Sequence, residues 1–249
     1  MLAKTPVAAV SEVGFEIQEA TTVAMVGASG SGKSTVARCI SRLERPDSGE
    51  IWIEGTDIAQ LRPAQLLPFR AKVQMIFQDP STSMNPRFTA AEAIEEPLYI
   101  QGCDRRERRQ AAEKWMIEVG LSPAWLDRRV VEFSGGQKQR LAIARALVLK
   151  PKLLILDEAL SALDLLVQAE IASLLAGLQK SHSMTYLLIS HDLGLVSRMA
   201  DAIVVMSAGR VVERGARQDV LFNPQHAETG RLLAASTGLN SAMAMGASR

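Results

Sequence analysis

The chain has 249 residues, enough for one substantial α/β domain with a smaller subdomain and too few for two such units. Its 28 Lys and Arg against 27 Asp and Glu leave a formal charge of +1, so no general basic field marks it for nucleic acid or anionic lipid, and any partner must be recognised locally. Cys39 and Cys103 form no CxxC pair and supply no disulfide framework, zinc ribbon or cysteine-ligated cluster, and no apolar run reaches the length of a membrane span.

Residues 1–10 carry one Lys and no long apolar stretch of the kind a secretory leader needs. Val13, Phe15 and Ile17 then alternate with polar residues, which predicts a half-exposed antiparallel strand. Val23 to Val26 is a short continuous apolar run ending at Gly27, and Val36, Ile40 and Leu43 fall at helical spacing after it. Ile51 and Ile53 about Trp52 predict another half-exposed strand, and Val73 to Phe77 another continuous run, ending at Gln78. Asp104 to Arg109 opens a helix with Ala111, Ala112, Trp115, Met116 and Val119 on its apolar side; its basic run is either a solvated face or a docking surface. A helix from Gln137 to Leu149 follows Ser134, and Leu153 to Leu156 runs into Asp157 and Glu158. Ile171, Leu174, Leu175 and Leu178 mark a further helix, and Leu187 to Ile189 ends at Ser190 and His191. Ile203 to Val212 folds about Ser207-Ala208-Gly209 as a half-exposed antiparallel pair, and the small, polar tail 236–249 is expected to be flexible.

Continuous apolar runs predict strands of a parallel sheet covered on both faces, and the ligands of such sheets sit beyond the strands' carboxyl ends. Four strands here end in Gly27, Gln78, Asp157-Glu158 and Ser190-His191, so their chemistry converges on one crevice. Gly27-Ala28-Ser29-Gly30-Ser31-Gly32-Lys33-Ser34 fits G-x-x-x-x-G-K-S/T between a strand and a helix. Such a loop curls backbone N–H groups around phosphate oxygens, with Lys33 on the β/γ-phosphates and the Ser34 hydroxyl on Mg²⁺. Asp157 reads as the residue that holds Mg²⁺ and Glu158 as the base that polarises the attacking water. The bland alternative for this pair is an acidic cap on the next helix. Ser134-Gly135-Gly136-Gln137 is an S-x-x-Q capping box and, at the same time, a second glycine-led phosphate site, which suggests a nucleotide sandwiched between two chains.

Gly27 to Ser34, Gln78, Ser134 to Gln137, Asp157-Glu158, Ser161-Ala162-Leu163-Asp164 and His191, in this order, resemble the ABC ATPase family over residues 10 to 235. The resemblance implies a P-loop α/β core with a mainly parallel sheet, an antiparallel β subdomain and a helical subdomain at about 79–149, all within one ABC ATPase domain at 1–235. It also implies that Gln78 senses Mg²⁺ and the transmembrane partner, that Ser134 to Gln137 reaches the γ-phosphate of the other subunit, that Asp164 lies at the dimer seam and that His191 approaches the γ-phosphate. The expected cofactors are ATP and Mg²⁺. The expected partners are a second, identical or paralogous ATPase, two transmembrane permeases and, indirectly, a solute-binding protein, with no nucleic acid. Their place is the cytoplasmic face of the inner membrane.

Phe77-Gln78-Asp79-Pro80, Met84-Asn85-Pro86, Glu96-Pro97-Leu98, Asp157-Glu158-Ala159 and Asn223-Pro224-Gln225-His226 are similar to the peptide and nickel importer group. That group implies an ATP-hydrolysing importer subunit for peptides, with a nickel or metal-chelate importer as the alternative. A non-transport ABC ATPase of DNA maintenance is the rival from another class, but Ser34 to Ser134 has neither heptads nor paired cysteines. Ala227-Glu228 departs from the Pro-Tyr usual in the group. Residues 1–14 also lack the family's adenine-stacking aromatic, so either the chain starts late or the base is gripped weakly.

Overall fold

The computed structural model describes residues 9–79 and 84–235. Four strands arise from the continuous apolar runs: β1 (Thr22–Gly27), β4 (Val73–Ile76), β5 (Leu153–Asp157) and β6 (Thr185–Ile189). With β7 (Ala202–Ser207) and β8 (Arg210–Ala216) they form a six-stranded sheet in the order β4-β5-β6-β1-β7-β8, parallel except for β8. Successive side chains of a strand point to opposite faces. Ala24, Val26, Leu154, Leu156, Tyr186 and Leu188 therefore enter one core, and Val23, Met25, Leu153, Ile155, Leu187 and Ile189 the other. Both faces are covered, so the runs are continuous rather than alternating.

The expected antiparallel hairpin at 203–212 holds only in part. β7 is buried from Ile203 to Met206 because it pairs in parallel with β1 on its other side; only β8, at the sheet edge, is the half-exposed antiparallel strand. No strand forms at Val13, Phe15 and Ile17, although all three side chains pack on the second core. The burial alternates as expected, but no neighbouring strand completes a ladder; the backbone is held singly, as where Arg214 Nη1 donates to Gly14 O at 2.7 Å. The first helix, α1 (Lys33–Ile40), stops short of Leu43, because Arg42 takes the left-handed conformation at φ 55° and leaves Leu43 61% exposed. The separate antiparallel piece is a two-stranded ladder, β2 (Trp52–Ile53) with β3 (Thr56–Asp57), followed by α2 (Pro63–Lys72).

Between β4 and β5 the described residues include three α-helices, each started by a side-chain cap. These are α3 (Ala90–Ile100) behind Thr89, α4 (Arg105–Glu118) behind Asp104 and α5 (Gly135–Leu147) behind Ser134. The third begins and ends two residues earlier than expected, since its cap is Ser134 itself. The basic run divides. Arg105 and Arg106 are exposed, whereas Arg108 and Arg109 turn inward to Glu95 at 3.8 and 4.0 Å and tie α4 to α3. Beyond β5 come α6 (Leu165–His182), α7 (Leu193–Met199) and α8 (Arg217–Phe222). No helix among the described residues is long and apolar enough to cross a membrane.

The Asn223-Pro224-Gln225-His226 motif finds its reason in Glu213. Its carboxylate accepts the amide N–H of Gln225 at 2.8 Å and of His226 at 3.0 Å, and the Thr229 hydroxyl. Desolvation opposes its ionised form, but these bonds outweigh it and hold the acid below its usual range. The stabilisation is thus present above the ordinary glutamate pKa and is lost as pH falls through the lowered one. Glu213→Gln should speed hydrogen exchange of the Gln225 and His226 amides at neutral pH, with the difference from wild type shrinking in acid. Unchanged exchange at pH 7 would remove the clamp. Residues 1–8, Pro80 and the predicted tail 236–249 lie outside the described residues.

Candidate active site

β1 ends in the glycine-rich loop because only glycine fits its first position. Gly27 sits at φ 153°, and a Cβ there would lie 2.2 Å from Met206 O of the neighbouring strand. Lys33, on the first turn of α1, turns back under this loop. Its Nζ donates to Gly27 O and Ala28 O, each at 2.9 Å, and to Ser31 Oγ at 3.2 Å. Burial disfavours its charged form and lowers its pKa, while the charges of Glu158 and Asp157 push the other way. The loop is braced from outside as well. Gly209 N–H donates to Ser31 O at 3.1 Å, and Gly209 O accepts from Ser11 N at 2.8 Å.

Ser34 Oγ donates to Asp157 Oδ1 at 2.9 Å, joining residues 123 positions apart at the ends of adjacent elements. Asp157 is buried at the last position of β5; desolvation raises its pKa, the Ser34 hydroxyl opposes this, and the Glu158 charge adds to it. One hydroxyl and one carboxylate at this distance fit a hard octahedral cation such as Mg²⁺, which takes few protein ligands and completes its shell with water and phosphate oxygens. Among the described residues no cluster of three or more His, Cys, Asp and Glu offers an all-protein metal cage instead.

Glu158 follows in a left-handed conformation, φ 48°, unusual for a residue with a side chain. Its N–H donates to Ile189 O at 3.0 Å, and its carbonyl accepts from Ser161 Oγ at 2.8 Å, so the turn is held from both sides. The effect is to aim the carboxylate at the next strand end, where His191 Nδ1 lies 3.7 Å from Glu158 Oε1. The cap reading of this acid pair does not apply: the following helix, α6, is capped by Asp164, which accepts from Val167 N at 3.0 Å. Gln78 is exposed two residues beyond β4, whose Ile76 pairs with Leu156. Gly27, Gln78, Asp157 and His191 thus stand at neighbouring strand ends, as expected from the sequence.

The Ser134 to Gln137 group is elsewhere. Ser134 Oγ accepts from Gln137 N at 3.3 Å, and Gln137 Oε1 accepts from Ser134 N at 3.0 Å, completing the capping box. Among the described residues no hydrogen bond or ion pair joins this group to the phosphate loop of its own chain. It abuts the start of α6 instead: a Cβ on Gly136 would meet Val167 Cγ1 at 2.7 Å, so this glycine permits a close approach beside Asp164. The exposed Leu165 and Leu166 continue that surface.

One part of the site carries no signal in the sequence. Gln168 Nε2 donates to Asp192 Oδ2 at 3.2 Å, and Asp192 N in turn donates to Ser190 Oγ at 3.0 Å. This chain of bonds ties the segment carrying His191 to the helix that follows Asp164. Only the fold could reveal it, since the partners lie 24 positions apart.

The family described as ABC transporter matches residues 10–161. A probable peptide ABC transporter ATP-binding protein of Sinorhizobium fredii is 47% identical over 231 residues, 92% of this chain and 65% of that protein. The glutathione import ATP-binding protein GsiA of Escherichia coli K12 is 45% identical over 228 residues, 91% of this chain and 37% of that protein. The chain therefore spans less than two thirds of the length of these relatives. Among solved structures, the dimeric ATP-binding cassette MJ0796 in a post-hydrolysis state bound to ADP and Pi superposes with a TM-score of 0.75 at 30% identity, covering 84% of this chain and 90% of that one.

Proposed function

We propose that this chain, which belongs to the ABC transporter family, is the ATP-hydrolysing subunit of a peptide importer. The observation that carries the chemistry is the row of contacts at the strand ends, Ser34 to Asp157 and Glu158 to His191, directly below the loop that Lys33 closes. The backbone N–H groups of Gly27 to Ser34 cradle the phosphates and Lys33 neutralises the β/γ oxygens. Ser34 and Asp157 would hold Mg²⁺, which when bound would spread the charge of the phosphates. Glu158 orients the attacking water and draws its proton, and His191 and Gln78 close on the γ-phosphate side.

Ser134 to Gln137 makes no hydrogen bond to the phosphate loop of its own chain among the described residues. Its place is therefore opposite the nucleotide of a second cassette, identical or paralogous, with Asp164 at the seam. The relationship to a dimeric cassette bound to ADP and Pi supports this arrangement. Residues 1–235 act as one ATPase domain whose helical subdomain, about 79–149, meets two transmembrane permeases at the cytoplasmic face of the membrane. A solute-binding protein delivers the cargo. Occupancy at 100 times the dissociation constant contributes about 2.7 kcal/mol toward whichever state binds ATP, and hydrolysis removes that bias.

The peptide assignment follows the probable peptide transport role of a relative at 47% identity. Uptake of a labelled oligopeptide by cells lacking the chain tests it. Uptake should fall to background and return with the wild-type chain but not with Glu158→Gln; undiminished uptake in the deletion would overturn the assignment.

A further inference from the structure

A cavity of about 430 Å³ opens beyond the end of α1, walled by Arg42, Arg45, Arg62 and Arg70 over the apolar side chains of Leu61 and Leu66. None of its lining residues belongs to the nucleotide site, and no Asp or Glu is among them. Among the described residues none of the four arginines forms an ion pair. Arg42 spends Nε on Ile58 O at 2.9 Å and Nη2 on Leu61 O at 3.2 Å, and Arg45 holds the Gln60 amide oxygen, at 3.2 Å from its Nε. The acids nearby are engaged elsewhere. Glu44 turns to Arg38 at 3.2 Å, and Asp57 accepts the amides of Ile51 and Ala59, each at 2.9 Å.

Several arginines of the chain do have acidic partners. Arg108 and Arg109 meet Glu95, Arg145 meets Glu96, Arg140 meets Glu170 and Arg128 meets Glu132. Among the described residues, arginines without an ion pair also occur elsewhere, as at Arg105 and Arg106, but these four line one concavity. Four guanidinium groups around one space repel one another unless an anion lies between them. Their planar forks match the oxygens of phosphate, which offers more acceptors and more charge than a single carboxylate. The volume is that of a small-molecule site, and Leu61 and Leu66 give a short carbon skeleton an apolar wall.

We propose that this cavity binds a phosphate ester, through the exposed Arg62 and Arg70 together with Arg42 and Arg45, which their hydrogen bonds hold in place. The phosphate belongs to a small soluble metabolite or to a lipid headgroup, and the test separates the two. The full chain, its nucleotide site saturated with Mg·ADP, is titrated calorimetrically with sn-glycerol 3-phosphate, and is floated with vesicles of equal parts phosphatidylcholine and phosphatidylglycerol against pure phosphatidylcholine. Wild type should bind at least one probe. Heat with the soluble ester alone assigns a metabolite; flotation on the anionic vesicles assigns a headgroup. The double variant Arg62→Gln, Arg70→Gln keeps the carbonyl contacts of Arg42 and should weaken that binding about tenfold or more, one charge-assisted bond being worth roughly that factor. Its ATP turnover should stay at the wild-type level, and Arg38→Gln, outside the cavity, should bind as wild type does. Absence of binding to both probes, equal binding by the double variant, or binding of a polyglutamate peptide where both phosphate probes fail would each overturn the proposal.

Discussion

Glu158→Gln should lower ATP turnover by about 10²-fold or more while Mg·ATP binding persists. The amide keeps the size of the carboxylate, and the contacts that shape its turn are made by its backbone, N–H to Ile189 O and carbonyl from Ser161 Oγ, so the strained conformation survives. The loop, Lys33, Ser34 and Asp157 are untouched. What is lost is the group that draws a proton from water. Stalled nucleotide should then hold two chains together if, as proposed, Ser134 to Gln137 of one chain caps the phosphate held by the other. Size-exclusion chromatography should show a dimer with Mg·ATP and a monomer with ADP. Adding Ser134→Arg should abolish the dimer, since the bulky side chain replaces the hydroxyl that caps α5 and fills the phosphate position. Unchanged hydrolysis in Glu158→Gln would remove Glu158 from the base role, and a dimer indifferent to Ser134→Arg would refute the sandwich. If the partner cassette is a paralogue, the same pair of results is expected of the mixed dimer.

Most of this site was legible because each part sits next to a feature that sequence encodes locally. Gly27, Gln78, Glu158 and His191 each follow a continuous apolar run, and the carboxyl end of a parallel strand is where an α/β sheet places its chemistry. Ser134 was legible for the same reason, as a capping box needs only four consecutive residues. The misreadings have one physical source, which is what lies beside a segment in space. Val13, Phe15 and Ile17 have the alternation of a strand and the burial of one, but no partner on that side of the sheet. Ile203 to Met206 reads as a hairpin arm until β1 is found on its far side. Leu43 fits the helical period of α1 but follows a left-handed Arg42. The bond from Gln168 to Asp192 and the left-handed Glu158 are likewise set by tertiary packing, and neither residue type announces them.

Lys33→Ala should raise the dissociation constant for ATP by about 10²-fold or more while the chain stays folded. A charge-assisted hydrogen bond contributes about 1.5–3 kcal/mol, each 1.4 kcal/mol is a factor of ten, and on the proposed function Lys33 makes more than one such bond to the β/γ-phosphates. The fold should survive because two effects of the substitution oppose each other. The three bonds from Nζ to Gly27 O, Ala28 O and Ser31 Oγ disappear, but so does a cation whose charge burial already disfavours. The melting temperature should therefore move by no more than about 2–4 °C, the equivalent of 1 kcal/mol in a chain of this size. Lys33→Arg is no rescue. Three acceptors converge on the one nitrogen of Lys33, and a planar fork cannot meet them at a point. ATP binding at the wild-type level in Lys33→Ala, measured by calorimetry with Mg²⁺ present, would sink the assignment of the loop. A collapse of the melting temperature would show instead that the lysine serves mainly to hold the loop's own carbonyls.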